Sequence, residues 1–145
     1  MDSISKSATV PFSAARMYAL VNDVERYPEF LPWCSHAEVH EKSRDYMKAS
    51  VSLAVGGIRQ SFTTANTLQE GKRIDVQLVS GPFSRLQGYW VFEAAGEDRC
   101  RVNFQMDFEY RNRLIKLALN KVFQRIGDSL VGSFIERAEA LYGRD

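Results

Sequence analysis

The sequence predicts an α+β fold, in which a curved antiparallel sheet of seven strands wraps around one long C-terminal helix. Two short helices are expected between strands 1 and 2. Two opposite periodicities meet in the last third of the 145-residue chain. Residues 99–110 alternate between apolar and polar side chains, as in a strand with one buried face. Residues 112–142 follow helical spacing without a proline, which corresponds to a helix of about 45 Å.

The N-terminal part of the chain predicts the first strand and the two short helices. Apolar and polar residues alternate over 4–10. Ser13 is a suitable N-cap for a helix over 14–22, because its hydroxyl can accept a backbone N–H of the first turn. A second short helical segment is expected over 24–31, where two prolines restrict the backbone.

Five further strands are expected in the middle of the chain, each with one apolar face. Turns are indicated by Gly56-Gly57, Glu70-Gly71 and Gly81-Pro82. Such short links favour antiparallel pairing, and single apolar faces favour helices packed on one side of the sheet. The predicted strands cover 37–42, 46–55, 58–68, 74–78 and 86–92.

Composition indicates one ordinary globular domain over residues 1–145. The formal net charge is +1, so no overall excess of charge points to a nucleic acid, and no DNA partner is expected. The N-terminus lacks the pattern of a signal peptide, and no apolar run reaches the roughly 18 residues of a membrane span. Two cysteines in this context are expected to stay reduced. These features predict a cytoplasmic protein.

The long helix is predicted to carry two apolar surfaces. Its sheet-facing stripe is centred on Leu119 and falls within about a third of a turn. The stripe also contains Ile115, Val122, Phe123, Ile126, Leu130, Ser133, Phe134 and Leu141. On the opposite side lie Leu114, Leu117, Val131, Ile135 and Tyr142.

Basic residues surround Leu114 and Leu117 in the first half of this helix. One interpretation is a solvated face with scattered leucines. The other interpretation rests on the helix dipole, because cations in the first turn lie at the positive end of the helix and mildly destabilise it. Their presence there suggests an anionic partner. A phospholipid surface or ribosomal RNA would fit, although Asp107 and Glu109 could neutralise part of the charge. The basic residues are Arg111, Arg113, Lys116, Lys121 and Arg125.

Two proline-containing segments rich in aromatic residues are candidates for the ends of a cavity. They are Tyr-Pro-Glu-Phe-Leu-Pro-Trp-Cys at 27–34 and Gly-Pro-Phe at 81–83. Stiff backbones would hold their large side chains in place, either over a cavity or in small cores beneath loops.

These segments, with Ser-Arg-Leu-Gln-Gly-Tyr-Trp-Val-Phe at 84–92 and Arg-Ala-Glu-Ala-Leu-Tyr-Gly at 137–143, resemble the coenzyme Q-binding protein family. Its bacterial members include RatA-type ribosome-association toxins, and it belongs to the START-like, or polyketide cyclase-like, superfamily. The resemblance implies a helix-grip (START-like) fold with a tunnel for a lipid or isoprenoid quinone. It places at the cavity and its rim Tyr27, Phe30, Leu31, Trp33, Pro82 and Phe83.

The first functional hypothesis is non-enzymatic binding of ubiquinone or a related isoprenoid lipid, supporting respiration, with transient contact to the inner face of the membrane. No covalent cofactor is expected. Further cavity residues are predicted to be Trp90, Phe104, Leu119, Phe123 and Ile126. The alternative is a RatA-type toxin that binds the large ribosomal subunit and blocks subunit association. The predicted contact residues for membrane or ribosome are Arg111, Arg113, Leu114, Lys116, Leu117, Lys121 and Arg125.

Neither catalysis nor metal binding is expected. Side chains of zinc-ligand types recur at strand spacing in Cys34, His36, Glu38 and His40. Neighbouring side chains on one strand diverge too far to enclose a metal alone. A cyclase-like enzyme would need polar groups in its cavity, whereas the inward-facing set looks almost wholly apolar. Arg137 is the exception, and it is interpreted as an ion pair at the sheet edge or a contact to a ligand head group.

Overall fold

The structure, a computed structural model, describes residues 2–143 and has the predicted order of elements. The chain begins with β1 (Asp2–Val10), α1 (Ala14–Asn22), a 3₁₀ turn (Val24–Arg26) and α2 (Tyr27–Phe30). It continues with β2 (Cys34–Lys42), β3 (Tyr46–Val55), β4 (Ile58–Gln69), β5 (Arg73–Ser80), β6 (Phe83–Ala94), β7 (Cys100–Tyr110) and α3 (Arg113–Tyr142). The predicted α+β class, with seven strands and two short helices between strands 1 and 2, is confirmed.

All seven strands form one antiparallel sheet in the order β1-β7-β6-β5-β4-β3-β2. The N-terminal strand therefore pairs with the last strand, and β1 and β2 form the two edges. From the end of β7 the chain enters α3, which runs across the curved inner face and packs against β1 and β7. α1 covers the part of this face formed by β6 and β7.

The residues of β7 that the alternation predicted to face inward are the more buried ones in the structure. Five of its inward side chains are buried: Cys100, Val102, Phe104, Phe108 and Tyr110. Several strands extend beyond their predicted ends, because backbone pairing continues past the stretch of regular apolar alternation. β2, for example, begins at Cys34 instead of residue 37, and β6 begins at Phe83 instead of residue 86.

Helix α3 begins and faces the sheet as predicted over its first half. The Asn112 side-chain oxygen caps it by accepting the Ile115 backbone N–H at 2.9 Å. Leu119 and Ile126 are buried against the sheet, and Phe134 continues this inner face. Leu114 and Leu117 are 79% and 75% exposed on the other side.

The prediction for the second half of α3 was wrong at four positions. Val131 is only 6% exposed, whereas Leu141 is 52% exposed. Ile135 and Tyr142, assigned to the outer side, pack against the core. The cause is α1 and the segment before it, which cover this flank of the helix. The centroids of the Tyr142 and Phe12 rings are 5.9 Å apart. This half of α3 therefore packs against the sheet and against the α1 region, whereas the sequence pattern predicted packing against the sheet alone.

Two glycines of α3 have opposite surroundings. A Cβ added at Gly127 would lie 3.0 Å from two side-chain carbons of Ile4 and closer still to its Cδ1. A Cβ added at the exposed Gly132 would meet nothing within 4 Å. Gly127 therefore permits the close approach of α3 to β1, while Gly132 has no packing role.

We expect Gly127→Ala to lower the free energy of unfolding by up to about 2 kcal/mol, because overpacking costs about 1–3 kcal/mol and the gain in helix propensity offsets about 1 kcal/mol of it. Gly132→Ala is the matched control. It should raise the free energy of unfolding by up to about 1 kcal/mol. Urea unfolding followed by circular dichroism measures both, and equal effects of the two substitutions would contradict this packing of α3 on β1.

Candidate functional site

An internal cavity of about 130 Å³ lies between the inner face of the sheet and α3. Strands β3 to β7 contribute most of its wall, with α1, the segment from the 3₁₀ turn to Trp33, and the middle of α3 completing it. The sequence builds this wall because every strand of the sheet points its apolar face inward. The cavity is thus a part of the core that the side chains do not fill.

Six of the eleven predicted cavity residues line this space, and five do not. The six are Tyr27, Trp33, Trp90, Phe104, Phe123 and Ile126. The other five are Phe30, Leu31, Pro82, Phe83 and Leu119, which pack elsewhere in or on the core. The segment at 27–34 thus reaches the cavity through its two largest rings.

Phe83 does not form the predicted mouth of the cavity. Its ring is buried among Phe108, Tyr110 and Phe123, with centroids 6.0, 5.3 and 5.0 Å away. The Gly-Pro turn that carries it is followed at once by β6, so Phe83 takes the first inward position of that strand. Pro82 is also buried. This end of the molecule is closed by an aromatic core.

The short helix α2 closes the cavity at the other end and is held against α3. The Tyr27 and Phe30 rings each pack edge-on against Phe134, with centroids 5.4 Å away. Arg137 of α3 donates a hydrogen bond of 2.8 Å to the Glu29 carboxylate and lies 5.0 Å from the centre of the Phe30 ring. Arg137 thus forms an ion pair, as one interpretation predicted, but its partner is Glu29 of α2 and not a residue at the sheet edge.

The Glu29 carboxylate is also bonded by Arg26, at 2.9 Å. These hydrogen bonds, the one from Arg26 first, hold the pKa of Glu29 below its ordinary value. Glu29 therefore remains charged at neutral pH, and α2 is fixed to α3 by one ion pair and by aromatic contacts.

Polar groups interrupt the apolar wall, which corrects the expectation of an almost wholly apolar surface. Thr64 and Asn66 face the cavity from β4, and Asn22 reaches it from the end of α1. Within residues 2–143, the side-chain oxygens of Asn22 and Asn66 and the indole nitrogen of Trp33 are buried without a hydrogen-bond partner. The alternation in β4, where Phe62, Thr64, Asn66 and Leu68 point inward, could have identified the two polar positions.

Tyr27 is the titratable side chain in the cavity wall. Its hydroxyl donates to the Val21 carbonyl, and burial raises its pKa above the ordinary value. It is therefore neither a base nor an available acid near neutral pH. The wall as described offers hydrogen bonds and apolar surface, which suit binding better than proton transfer.

Strand β2 separates the four residues of zinc-ligand types. Cys34 is buried, and a bulge follows it before His36. His36, Glu38 and His40 are exposed, with a His40 nitrogen 3.1 Å from the Glu38 carboxylate. Among residues 2–143 no three potential ligands are grouped around a common point. Burial raises the pKa of the Cys34 thiol to about 11, so this cysteine is a thiol and not a thiolate at neutral pH.

The outer side of the first half of α3 forms a second candidate site, which we call the α3 basic surface. It comprises Arg111, Arg113, Leu114, Lys116, Leu117, Lys121 and Arg125, all exposed. Lys116 lies 3.9 Å from the Asp2 carboxylate, and Arg111 donates to the Gly81 carbonyl. Arg113, Lys121 and Arg125 have no ion pair with any residue between 2 and 143.

Of the two acidic residues expected to neutralise this surface, Asp107 lies away from it and Glu109 lies beside it. Asp107 accepts hydrogen bonds from Ser3 and Gln105 on the outer face of the sheet, and these bonds lower its pKa. Glu109 lines a groove together with Arg113 and with other members of the basic surface. No helix within residues 2–143 combines the length and apolar character that crossing a bilayer requires.

Comparisons with known proteins show relatives of two kinds. The ribosome association toxin RatA of Vibrio cholerae is 45% identical over 143 residues, covering 99% of both chains. The mitochondrial coenzyme Q-binding protein of Drosophila melanogaster is 25% identical over 143 residues, which are 96% of this chain and 59% of that protein.

The fold is shared with a wider set of structures. The crystal structure of an aromatase/cyclase, ZhuI from Streptomyces sp. R1128, has a TM-score of 0.84 at 18% identity, covering 95% of this chain and 93% of that one. At this identity the likeness shows the fold alone. The family model for polyketide cyclase/dehydrase and lipid transport matches residues 10–135. The chain therefore belongs to the polyketide cyclase/dehydrase and lipid transport family and, within it, to the group of the RatA proteins.

Proposed function

We propose that the protein is a RatA-type factor that associates with the ribosome through the α3 basic surface. The observation that carries this proposal is the exposure of Leu114 and Leu117 beside Arg113, Lys121 and Arg125, which have no ion pair within residues 2–143. Support also comes from the relatives, since identity to a RatA protein is 45% and to a coenzyme Q-binding protein 25%. This reverses the order of the two hypotheses drawn from the sequence.

The chemistry of the surface suits ribosomal RNA. Guanidinium and ammonium groups bind phosphate oxygens, and the mobile ions they displace make such binding salt-dependent. Leu114 and Leu117 are 79% and 75% exposed, so they offer apolar contact area to a partner. A face that is only solvated gains nothing from such side chains. The proposed partner is the large ribosomal subunit, with blocked subunit association as the consequence, in the cytoplasm and without an enzymatic step.

We expect the double variant Arg113→Glu, Lys121→Glu to bind ribosomes much more weakly while remaining folded, because both side chains are exposed and unpaired among the described residues. If each cation contacts one phosphate, the slope of log affinity against log salt concentration should fall by about 2. Sucrose-gradient profiles with added protein would show the loss as restored 70S particles.

The matched control is Lys72→Glu, Arg99→Glu. These residues are also exposed and carry the same charge, but they lie at the end of the sheet opposite the start of α3. The control should bind ribosomes like the wild-type protein. Equal losses in both variants would indicate a general effect of net charge, and unchanged 70S levels with the wild-type protein would refute ribosome association.

A second candidate function is supported by the largely apolar cavity, namely binding of a hydrophobic ligand such as ubiquinone. Its volume of about 130 Å³ is close to that of engineered cavities that hold benzene, and below the roughly 300 Å³ of most ligand pockets. One ring therefore fits the closed form. An isoprenoid chain requires α2 to move away from α3, and the exposed leucines would then contact a membrane during loading.

Organic extraction of the purified protein, followed by mass spectrometry, tests this second function. We expect a quinone or related isoprenoid lipid at a fixed ratio to protein, because burial of the ring and part of the chain stabilises the complex. A consistently empty cavity, with no uptake when quinone is added, would contradict it.

The ion pair between α2 and α3 yields a separate prediction about ligand entry. Glu29→Gln removes the charge that attracts Arg137, so α2 should open more often and uptake of a fluorescent hydrophobic probe should accelerate about two- to fivefold. Stopped-flow fluorescence measures the rate. Glu25→Gln is the control, since Glu25 is exposed in the neighbouring turn and pairs with no described residue, and it should leave the rate unchanged.

A further inference from the structure

A histidine on the outer face of the sheet lies between a carboxylate and a serine hydroxyl. The Nδ1 atom of His40 is 3.1 Å from the Glu38 carboxylate. Its Nε2 atom is hydrogen-bonded to the Ser50 hydroxyl at 2.7 Å. The two ring nitrogens therefore contact an acid and an alcohol at the same time. This order of acid, imidazole and alcohol is the one that activates serine as a nucleophile.

A β-bulge in β2 produces this arrangement. Glu38 is the cross-strand partner of Ser50, and the pairing register shifts between Val39 and Glu41. His40 is the residue inside this shift, so its ring turns back toward Ser50 and does not follow the strand. Bulges redirect side chains in this way and are frequent beside functional sites.

The hydrogen bonds in this row have one consistent direction. The carboxylate of Glu38 favours a proton on the neighbouring Nδ1 of His40, which leaves Nε2 of the neutral ring as an acceptor. Ser50 then donates its proton to His40. The Thr63 hydroxyl of β4, 2.6 Å from the Ser50 oxygen, donates to Ser50 in turn. The Ser50 proton therefore points at a base.

We propose that Ser50 is an acylation site that takes an acyl group from an activated ester or thioester. The Ser50 oxygen forms a bond to the carbonyl carbon, and the bond from that carbon to the leaving oxygen or sulfur breaks. The Ser50 proton passes to Nε2 of His40 and from there to the leaving group, so no other reactant is needed. Glu38 is a positioning residue that favours the required tautomer and stabilises the charged ring.

The open position of the site determines the class of acyl donor. Strand β3 is paired on both sides, so its backbone N–H groups are engaged in the sheet and do not form an oxyanion hole. The lack of one such donor costs a factor of about 10²–10³ in rate. A good leaving group has to compensate for this loss, which selects activated esters and thioesters over amides.

Acetylation of the full chain by p-nitrophenyl acetate tests the proposal. Peptide mass spectrometry of acid-quenched samples should find the acetyl group on Ser50, and Ser50→Ala should remove it. His40→Gln should slow acetylation of Ser50 about hundredfold, since general-base catalysis contributes a factor of about 10²–10⁴. Glu38→Gln should slow it about fivefold, the effect of one unit charge at this distance near bulk water.

The same strands provide matched controls. Ser52 lies on the same face of β3 and is hydrogen-bonded to the Ser61 hydroxyl at 2.8 Å, with no histidine bonded to its side chain among residues 2–143. It should be acetylated at least tenfold more slowly than Ser50, at the same rate in every variant. His36 is exposed on β2, and His36→Gln should leave acetylation of Ser50 unchanged.

Three results would overturn the proposal. They are equal acetylation of Ser50 and Ser52, an unchanged Ser50 rate in His40→Gln, and acetyl groups on histidine and lysine side chains alone. A wild-type circular dichroism spectrum and an unchanged Ser52 rate show that a slower Ser50 reaction is not a loss of fold. The residues on either side of Ser50 line the cavity, so Ser50 faces away from it and the result is independent of ligand binding.

Discussion

The packing of one 30-residue helix against a curved seven-stranded sheet is the constraint on which the rest of the structure depends. A twisted, curved sheet presents a wide inner face, and a single helix of about 10 Å diameter cannot cover it. Close approach is achieved on one side, where Gly127 admits Ile4 of β1. Elsewhere, aromatic rings from β6, β7 and the region of α2 fill most of the remaining space. The cavity is what they leave.

This constraint also explains why α3 has different neighbours along its length. Its first half is covered by the sheet alone, which leaves Leu114 and Leu117 in solvent. Its second half is also covered by α1 and the segment before it, which bring Tyr142 against Phe12, and Val131 is buried in this half. The α3 basic surface therefore begins where the helix is covered on one side only, next to the capping residue and the end of β7.

The sequence predicted features that depend on one element and missed those that depend on several. Alternation identified β7, and helical spacing identified the inner face around Leu119, because each pattern is a local consequence of having one buried side. The packing of Tyr142 depends on where Phe12 and α1 lie, which no periodicity within α3 records. Phe83 was assigned to a mouth because its turn looked like a loop, whereas β6 already begins there. The alternation of β4 identifies Asn66 as inward-facing. That its side-chain oxygen has no hydrogen-bond partner is seen only once its neighbours on β3 and β5 are known.

The two candidate sites share α3 without sharing a side chain. Phe123 and Ile126 line the cavity, while Lys121 and Arg125 belong to the α3 basic surface, so the two functions draw on opposite faces of the same turns. A substitution on one face does not alter the chemistry of the other. Relatives can therefore keep the fold and the cavity while their outer surfaces differ. For the same reason, substitutions can test the proposed cavity ligand and the proposed ribosome contact separately.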